Sequence, residues 1–272
     1  MKTITLTLFC LFVSVISVAN VSTQEKEALV SLYHATQGEQ WKNTWNLSEP
    51  VHTWYGVTVE DNKVVGLDLQ YNNLVGTLPQ SIGELHYLQT LNLGFNTISG
   101  TIPAAIAELS QLTSLELFLN KLHGSIPSEI GNLKQLKKLS LFSNALSGTI
   151  PTRLGELSAL EELELGSNLL TGSIPVELGA LSNLKLLSLI DNQLSGHIPA
   201  ELGDLVQLEV LVLSDNKLVG HLPLAFNSLT KLHTMMVSDN NMNREYITVV
   251  GNPTDVSKSI LNIDDTYVVE RE

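Results

Sequence analysis

An asparagine recurs every 24 residues along most of this chain, and this period limits the possible fold more than any other feature. The spacing never slips, and the positions are Asn72, Asn96, Asn120, Asn144, Asn168, Asn192, Asn216 and Asn240. Glycine and proline keep the same step, for example at Gly172 and Pro175. One copy cannot bury its own apolar residues, so the copies must stack as a solenoid whose two ends need caps.

Within one copy, alternating apolar and acidic residues predict a short strand. Leu163 and Leu165 are expected to turn into the core, while Glu162 and Glu164 face outward on the other side of the pleat. Asn168 then turns the chain, and its amide is suited to satisfy backbone groups that the turn leaves unpaired. Strands of successive copies stack in parallel about 4.8 Å apart, which predicts one curved sheet on the concave side.

The repeating unit has the form LxxLxLxxNxLxGxIPxxLGxLxx, as in LEELELGSNLLTGSIPVELGALSN at residues 160–183. It resembles the plant-type leucine-rich repeat of receptor-kinase ectodomains, receptor-like proteins and polygalacturonase-inhibiting proteins. The resemblance covers about eight units over residues 64–243. It implies an α/β solenoid, a right-handed superhelix with a parallel concave β-sheet and N- and C-terminal caps. Such a motif specifies the fold well and the function poorly.

Residues 1–19 predict a cleaved secretory signal. A lysine precedes an apolar run over residues 4–18, and the small residues Ser17 and Ala19 are placed as at a signal-peptidase site. An uncleaved membrane anchor is the alternative, but the run is short of the ~20 apolar residues of a spanning helix. No second hydrophobic stretch suits a membrane span. We therefore expect a secreted, extracellular or cell-surface protein, or a periplasmic one in a Gram-negative source.

Residues 20–63 predict an N-terminal cap with a helix and a strand. The expected elements are a helix over 24–38, which Gly38 ends, and two strands over 55–59 and 64–69 that join at Asp61 and Asn62. Trp41, Trp45 and Trp54 are expected to pack beneath this cap, and a sugar-stacking platform is the alternative. The plant-type cap usually carries CxWxGVxC. Both cysteines are replaced here, as in similar repeat proteins of bacteria and protists, and the one cysteine of the chain lies in the predicted signal.

The pattern degrades at the other end of the chain. After Asn240 no Gly-x-Ile-Pro follows, and methionines replace leucines at Met235 and Met242. Residues 244–272 are therefore expected to cap the last repeat, and β-branched residues predict a strand or hairpin over 260–269. A short anchoring or sorting tail is the alternative, with no motif to support it.

Two groups of outward-facing residues are candidate partner-binding sites. The first consists of large apolar residues beside glutamates: Tyr71, Phe95, Phe118, Leu119 and Phe142 with Glu116, Glu162 and Glu164. Exposed aromatic residues on consecutive strands, rimmed by charge, are typical of an interaction site, because a few large anchors dominate binding energy. Chance substitution on a variable surface is the alternative explanation.

The second group is a column of carboxylates at Asp191, Asp215 and Asp239. Stacked carboxylates repel one another, so a cation or a partner's Lys or Arg would stabilise them. The alternative is structural, because a small polar residue commonly precedes this asparagine in the family. His197 and His221 also fall in one column, but without a third ligand in sight a metal pair is the weaker interpretation.

Catalysis finds little support in the sequence. The glutamates of the first group could supply paired carboxylates for glycoside hydrolysis, but an open sheet offers no pocket to raise a pKa or exclude water. No phosphate loop, Ser-His-Asp arrangement or His-rich metal motif is present. We therefore expect no enzyme activity, cofactor or metal.

The favoured function is recognition of a protein or peptide ligand through the concave face of the sheet. The net charge of −13 makes a cationic ligand suitable and disfavours nucleic acid. The alternative from a different class is a self-associating structural, surface or adhesion protein. Inhibition of a secreted polysaccharide-degrading enzyme is a weaker possibility, because the resemblance lies in the repeat and not in binding residues. The sequence does not determine the oligomeric state.

Overall fold

The computed structural model describes residues 21–242 and, as backbone, two further strands at Ile260–Ile263 and Thr266–Val269. The predicted signal over residues 1–19 lies outside the described residues, and so does most of the predicted C-terminal cap over 244–272. The described chain forms a solenoid of stacked strands, turns and short 3-10 helices.

The strands follow one another in a regular alternation between two sheets. In chain order they are β1 Val57–Glu60, β2 Lys63–Asp68, β3 Val75–Thr77, β4 Thr90–Asn92, β5 Thr97–Gly100, β6 Ser114–Glu116, β7 Lys121–Gly124, β8 Lys138–Ser140, β9 Ala145–Thr149, β10 Glu162–Glu164, β11 Leu169–Gly172, β12 Leu186–Ser188, β13 Gln193–His197, β14 Val210–Val212, β15 Lys217–Gly220, β16 Thr234–Met236, β17 Asn241–Met242, β18 Ile260–Ile263 and β19 Thr266–Val269.

The main sheet contains the even-numbered strands from β2 to β16, all parallel, with β1 antiparallel to β2 at its edge. The β1–β2 hairpin turns at Asp61 and Asn62, which have positive φ angles of 47° and 62°. Aspartate and asparagine tolerate this left-handed conformation better than other non-glycine residues, so the predicted hairpin and its turn are confirmed. Each parallel strand has only three residues, apart from β2, because the core leucines of one repeat require no more.

A second parallel sheet, which the sequence reasoning missed, joins the odd-numbered strands from β3 to β17. In β11, only Leu170 is buried, while Leu169 and Thr171 face outward. One buried residue between two exposed ones is too short a pattern to separate a strand from a turn. Gly172 ends the strand with a φ of 80°, a conformation that glycine adopts without steric cost.

Short 3-10 helices complete the first seven repeats on the side of the core opposite the main sheet. They begin directly after the repeating proline and span Gln80–Glu84, Ala104–Glu108, Ser128–Asn132, Thr152–Glu156, Val176–Ala180, Ala200–Asp204 and Leu224–Ser228. Pro175 precedes such a turn with a φ of −65°, the value that its ring fixes. Leu178 and Leu181 are fully buried, as predicted.

The recurring asparagines form a hydrogen-bonded ladder through the stack. The Nδ2 atom of Asn168 donates to the carbonyls of Leu141, Leu165 and Gly166, each at 3.1 Å, and its Oδ1 atom accepts from the N–H of Leu146 at 3.0 Å. The predicted role of this amide is confirmed. Each ladder asparagine from Asn96 to Asn240 ties its own repeat to the preceding one in this way.

The N-terminal cap begins with one helix, α1, over Thr23–Ala35. Ser22 caps it in a reciprocal pair with Glu25, and Glu25 Oε1 also accepts a hydrogen bond from the N–H of Val64 at 2.9 Å. The helix ends earlier than predicted, because Gln37, and not Gly38, takes the left-handed conformation. Two 3-10 turns follow, at Gly38–Gln40 and Val51–Thr53.

The three tryptophans of the cap are buried. The Trp45 ring stacks on Trp54 at 4.8 Å and meets the edge of Trp41 at 4.9 Å. Each indole N–H donates to a backbone carbonyl, that of Trp45 to Tyr55 at 2.8 Å. Buried rings with satisfied N–H groups offer no face to a sugar, so the stacking platform is wrong and the packed cap is confirmed.

The strands β18 and β19 pair as an antiparallel hairpin, which confirms the expected hairpin over residues 260–269. The second strand of this hairpin lies beside β16, the last strand of the main sheet. Within the part of the chain that the structure describes, no helix has the length and apolar character needed to cross a bilayer.

Candidate functional site

Four aromatic side chains form a continuous row along the edge where the main-sheet strands end. The rings of Tyr71 and Phe95 meet edge to face at 6.4 Å, those of Phe95 and Phe118 edge to face at 5.5 Å, and those of Phe118 and Phe142 stack at 4.9 Å. We call these four residues the aromatic row. Lys42 of the cap extends it, since its Nζ atom lies 3.1 Å from the centre of the Tyr71 ring.

The members of the row are not equally accessible. Tyr71 is 67% exposed and Phe95 47%, whereas Phe118 is only 8% exposed, and Phe142 and Leu119 are half-buried. The expectation that Phe118 is an exposed anchor is therefore wrong. Its ring leans over the preceding repeat, where Gly94 leaves room, because a Cβ atom at that glycine would lie 2.6 Å from the ring. Phe118 supports the row, and Tyr71 and Phe95 present it to solvent.

The residue before each ladder asparagine has a left-handed backbone. The φ angle at this position is 55° at Tyr71, 53° at Phe95 and 51° at Leu119, and it is similar in the later repeats at Ser143, Ser167, Asp191, Asp215 and Asp239. Aspartate adopts this conformation readily, while bulky residues do so at a cost of about 1–2 kcal/mol. The backbone therefore gives the aspartate column a structural reason that is independent of any cation. Among the described residues, no three acidic, histidine or cysteine side chains are placed to hold a metal ion.

The three glutamates of the first predicted group are brought together around one lysine. Lys138 Nζ lies 3.4 Å from Glu116 Oε2 and 3.2 Å from Glu162 Oε2, and it is beyond ion-pair distance of Glu164. Burial opposes the charge of Lys138, but the field of these carboxylates and a hydrogen bond to Glu162 outweigh it and raise the pKa of the ammonium group. Glu116 and Glu162 are thus not a free anionic rim, as the sequence suggested.

Sequence reasoning missed two members of this site. Lys138 was not singled out, although its position between glutamates of neighbouring repeats can be read from the 24-residue step. Lys42 lies outside the repeats, and no pattern in the sequence places it over Tyr71. The predicted site residues therefore fall into three places: the aromatic row with Leu119 beside it, the glutamates around Lys138, and the separate aspartate column.

Replacing both exposed rings of the row by asparagine is expected to leave the protein as stable as before, or more stable by about 1 kcal/mol. The double variant Tyr71→Asn, Phe95→Asn removes two bulky residues from left-handed positions, which offsets the modest apolar burial that it loses. Urea denaturation measures the effect. Tyr87→Asn is the matched control, since Tyr87 is 44% exposed and lies under Lys63 but has no positive φ. If the double variant were about 2 kcal/mol less stable than this control, the inference that Tyr71 and Phe95 strain the backbone would be wrong.

Comparisons with known proteins agree with this architecture. One family model, described as a leucine-rich repeat region, matches residues 66–174, and another, described as Leucine Rich Repeat, matches 183–205 and 207–229. The chain is 36% identical to the protein in a crystal structure described as PEPR1–AtPEP1, with a TM-score of 0.76, covering 81% of this chain and 32% of that one.

Two further solved structures are similar over most of this chain. The Arabidopsis receptor kinase HAESA, in complex with the peptide hormone IDA and the co-receptor SERK1, is 34% identical with a TM-score of 0.75, covering 81% of this chain and 38% of that one. A plant ice-binding protein is 29% identical with a TM-score of 0.75, covering 82% of this chain and 73% of that one. This chain thus spans about a third of the two receptor chains. Its stacked 24-residue units and these matches show that it belongs to the leucine-rich repeat proteins, with repeats of the plant type found in receptor ectodomains.

Proposed function

We propose that this protein is a ligand-binding module outside the cytoplasm that holds an extended peptide against the concave face of the main sheet. The observation that carries the proposal is the aromatic row, whose exposed members Tyr71 and Phe95 occupy strained left-handed positions. The likeness to HAESA, whose structure contains a peptide hormone, supports a peptide as the ligand. No catalytic role is part of this proposal.

The row has the dimensions of a peptide anchor. Its four rings belong to four consecutive repeats, so they span three strand spacings, or about 14 Å. An extended peptide covers that distance with about four residues. Aromatic side chains dominate the energy of many interfaces because they bury a large area at a small cost in conformational entropy. The exposed faces of Tyr71 and Phe95 supply that area, and the buried Phe118 packs edge to face against Phe95.

The backbone at these rings argues against an accidental surface. Aspartate, which tolerates a positive φ, fills the same position in the last three repeats, at Asp191, Asp215 and Asp239. Folding alone therefore gives no reason for Tyr71, Phe95 or Leu119 at this position. Strained conformations that persist tend to cluster at binding sites and active sites, where the strain serves a function.

The test is a selection of peptides from a random 12-residue display library on the protein, followed by titration of the selected peptides. We expect Tyr71→Asn, Phe95→Asn to weaken their binding at least ~30-fold, the loss that corresponds to one anchor worth about 2 kcal/mol. The control Tyr87→Asn is expected to bind like the unmodified protein, because Tyr87 lies outside the aromatic row.

Two results would overturn the proposal: a library that yields no binding peptide, or peptides that bind the double variant as well as the unmodified protein. Analytical ultracentrifugation then tests the alternative, a self-associating structural protein. Concentration-dependent assembly that the double variant leaves unchanged would indicate a self-associating protein, in which the aromatic row has no part.

A further inference from the structure

A buried serine lies in the outward layer of the main sheet, beside the aromatic row. In β8 the side chain of Leu139 is in the core, so that of Ser140 points to the opposite, outward face. Ser140 is nevertheless fully buried, and its hydroxyl Oγ has no hydrogen-bond partner among the described residues. Buried polar groups are nearly always paired, so an unpaired hydroxyl on a candidate binding face calls for an explanation.

The strand neighbours of Ser140 are two glutamates, and two aromatic residues follow beyond the strand ends. Strand register places Ser140 directly between Glu116 on β6 and Glu164 on β10. Two residues beyond the ends of β6 and β8 stand Phe118 and Phe142, whose rings stack at 4.9 Å. A hydroxyl acceptor on the strand between two glutamates, close to aromatic residues, matches the donors and the charge of a guanidinium or ammonium group.

This place already attracts a cation from within the chain. Lys138 pairs with Glu116 and Glu162, and the surrounding carboxylates raise the pKa of its ammonium group. Three glutamates face one lysine here, so the group keeps a net negative charge, and Glu164 receives no ion pair from Lys138. The group is therefore negatively charged, and the carboxylate of Glu164 is available to bind a second cation.

We propose that Glu116, Ser140 and Glu164 recognise a basic side chain, Arg or Lys, of the bound peptide, and that Lys138 is a resident cation which this side chain displaces from Glu116. The inference rests on the proposed function, since it names the chemistry of the residue that follows the apolar anchor. The incoming group donates hydrogen bonds to both carboxylates and to Ser140 Oγ. The freed Lys138 keeps Glu162 as its partner.

The test uses the library-selected peptides as probes. Each Arg is replaced by citrulline, which has nearly the same shape without the charge, and each Lys by norleucine. We expect the neutral peptides to bind the unmodified protein at least tenfold more weakly. On Glu164→Gln the difference is expected to shrink to less than threefold, because one of the two carboxylates that bind the charged group is gone and Lys138 stays paired with the other. Glu177→Gln is the control: it makes the same substitution at an exposed site in a 3-10 helix, away from the main sheet.

Lys138→Met is the most decisive variant. Lys138 could compete with the basic residue of the peptide or bind an acidic one, and the two roles predict opposite changes in affinity. If Lys138 competes with the basic residue, its removal strengthens binding of the Arg peptide at least threefold. If Lys138 instead binds an acidic group of the peptide, its removal weakens binding, and the inference is overturned. Ser140→Ala supplies a second variant that removes only the unpaired hydroxyl, and it is expected to weaken the Arg peptide about threefold without loss of stability.

The experiment distinguishes failure of the basic subsite from failure of the proposed peptide-binding function. Peptides that lose binding with Tyr71→Asn, Phe95→Asn but tolerate citrulline or norleucine would retain the aromatic anchor and reject the basic subsite. Selected peptides without any Arg or Lys would reject it as well. Peptides indifferent to both changes, or no selected peptide at all, would reject the two proposals together.

Discussion

Replacing Asn168 by alanine is expected to lower the free energy of unfolding by about 4 kcal/mol, since it removes four buried hydrogen bonds worth about 1 kcal/mol each. The change removes four hydrogen bonds, those to the carbonyls of Leu141, Leu165 and Gly166 and that from the N–H of Leu146. Urea denaturation, followed by circular dichroism, measures the loss.

A matched asparagine separates the ladder from the residue type. Asn183 is exposed, and its Nδ2 atom donates a single hydrogen bond of 2.8 Å to the carbonyl of Ser158. Water can replace that bond, so Asn183→Ala is expected to cost less than about 1 kcal/mol. Equal losses for Asn168→Ala and Asn183→Ala would show that the ladder contributes no more than an ordinary surface amide.

The ladder also explains why the 24-residue step is so strict. Asn168 bonds to both its own repeat and the preceding one, and Asn192 in turn donates to the carbonyl of Leu165. An insertion in one repeat would displace the amide from its carbonyls in the neighbour. The stability of a solenoid depends on such interfaces between adjacent units, so the ladder sets the register of the surface on which ligands are recognised.

The sequence predicts the repeat well because the repeat obeys local rules. Leu163, Leu165 and Asn168 recur with their neighbours, and the structure gives each the role expected of its type. The same holds for the cap tryptophans and for the turn at Asp61 and Asn62, whose residue types have few structural alternatives.

The candidate site was harder to predict, because its properties depend on contacts between repeats. The burial of Phe118 follows from Gly94 in the preceding unit, which no pattern within one unit reveals. The neutralisation of Glu116 and Glu162 depends on the side chain of Lys138 on the strand between them. The shortness of its strands also hid the second sheet, since a single buried residue in β11 carries too little periodicity to indicate a strand.

The cap and the aromatic row are physically connected. Lys42 lies over the ring of Tyr71, and its N–H donates to the carbonyl of Asn72 at 3.1 Å. The next residue, Asn43, donates its N–H to Asn72 Oδ1 at 2.8 Å. The position of the first repeat, and of Tyr71 as the most exposed ring of the row, therefore depends on a correctly folded cap.

Trp45→Ala is accordingly expected to lower the free energy of unfolding by about 4 kcal/mol, as for other buried aromatic residues cut back to alanine. The change leaves a cavity between Trp41 and Trp54 and removes the indole N–H that pairs with the carbonyl of Tyr55. Because the cap is the terminal unit of the stack, we expect a separate first transition on denaturation, with early hydrogen exchange at the N–H of Val64.

The control is Tyr55→Ala, which replaces a side chain that is 49% exposed and should lower the free energy of unfolding by less than about 1 kcal/mol. A single transition in Trp45→Ala at the midpoint of the unmodified protein would show that the cap does not protect the first repeat.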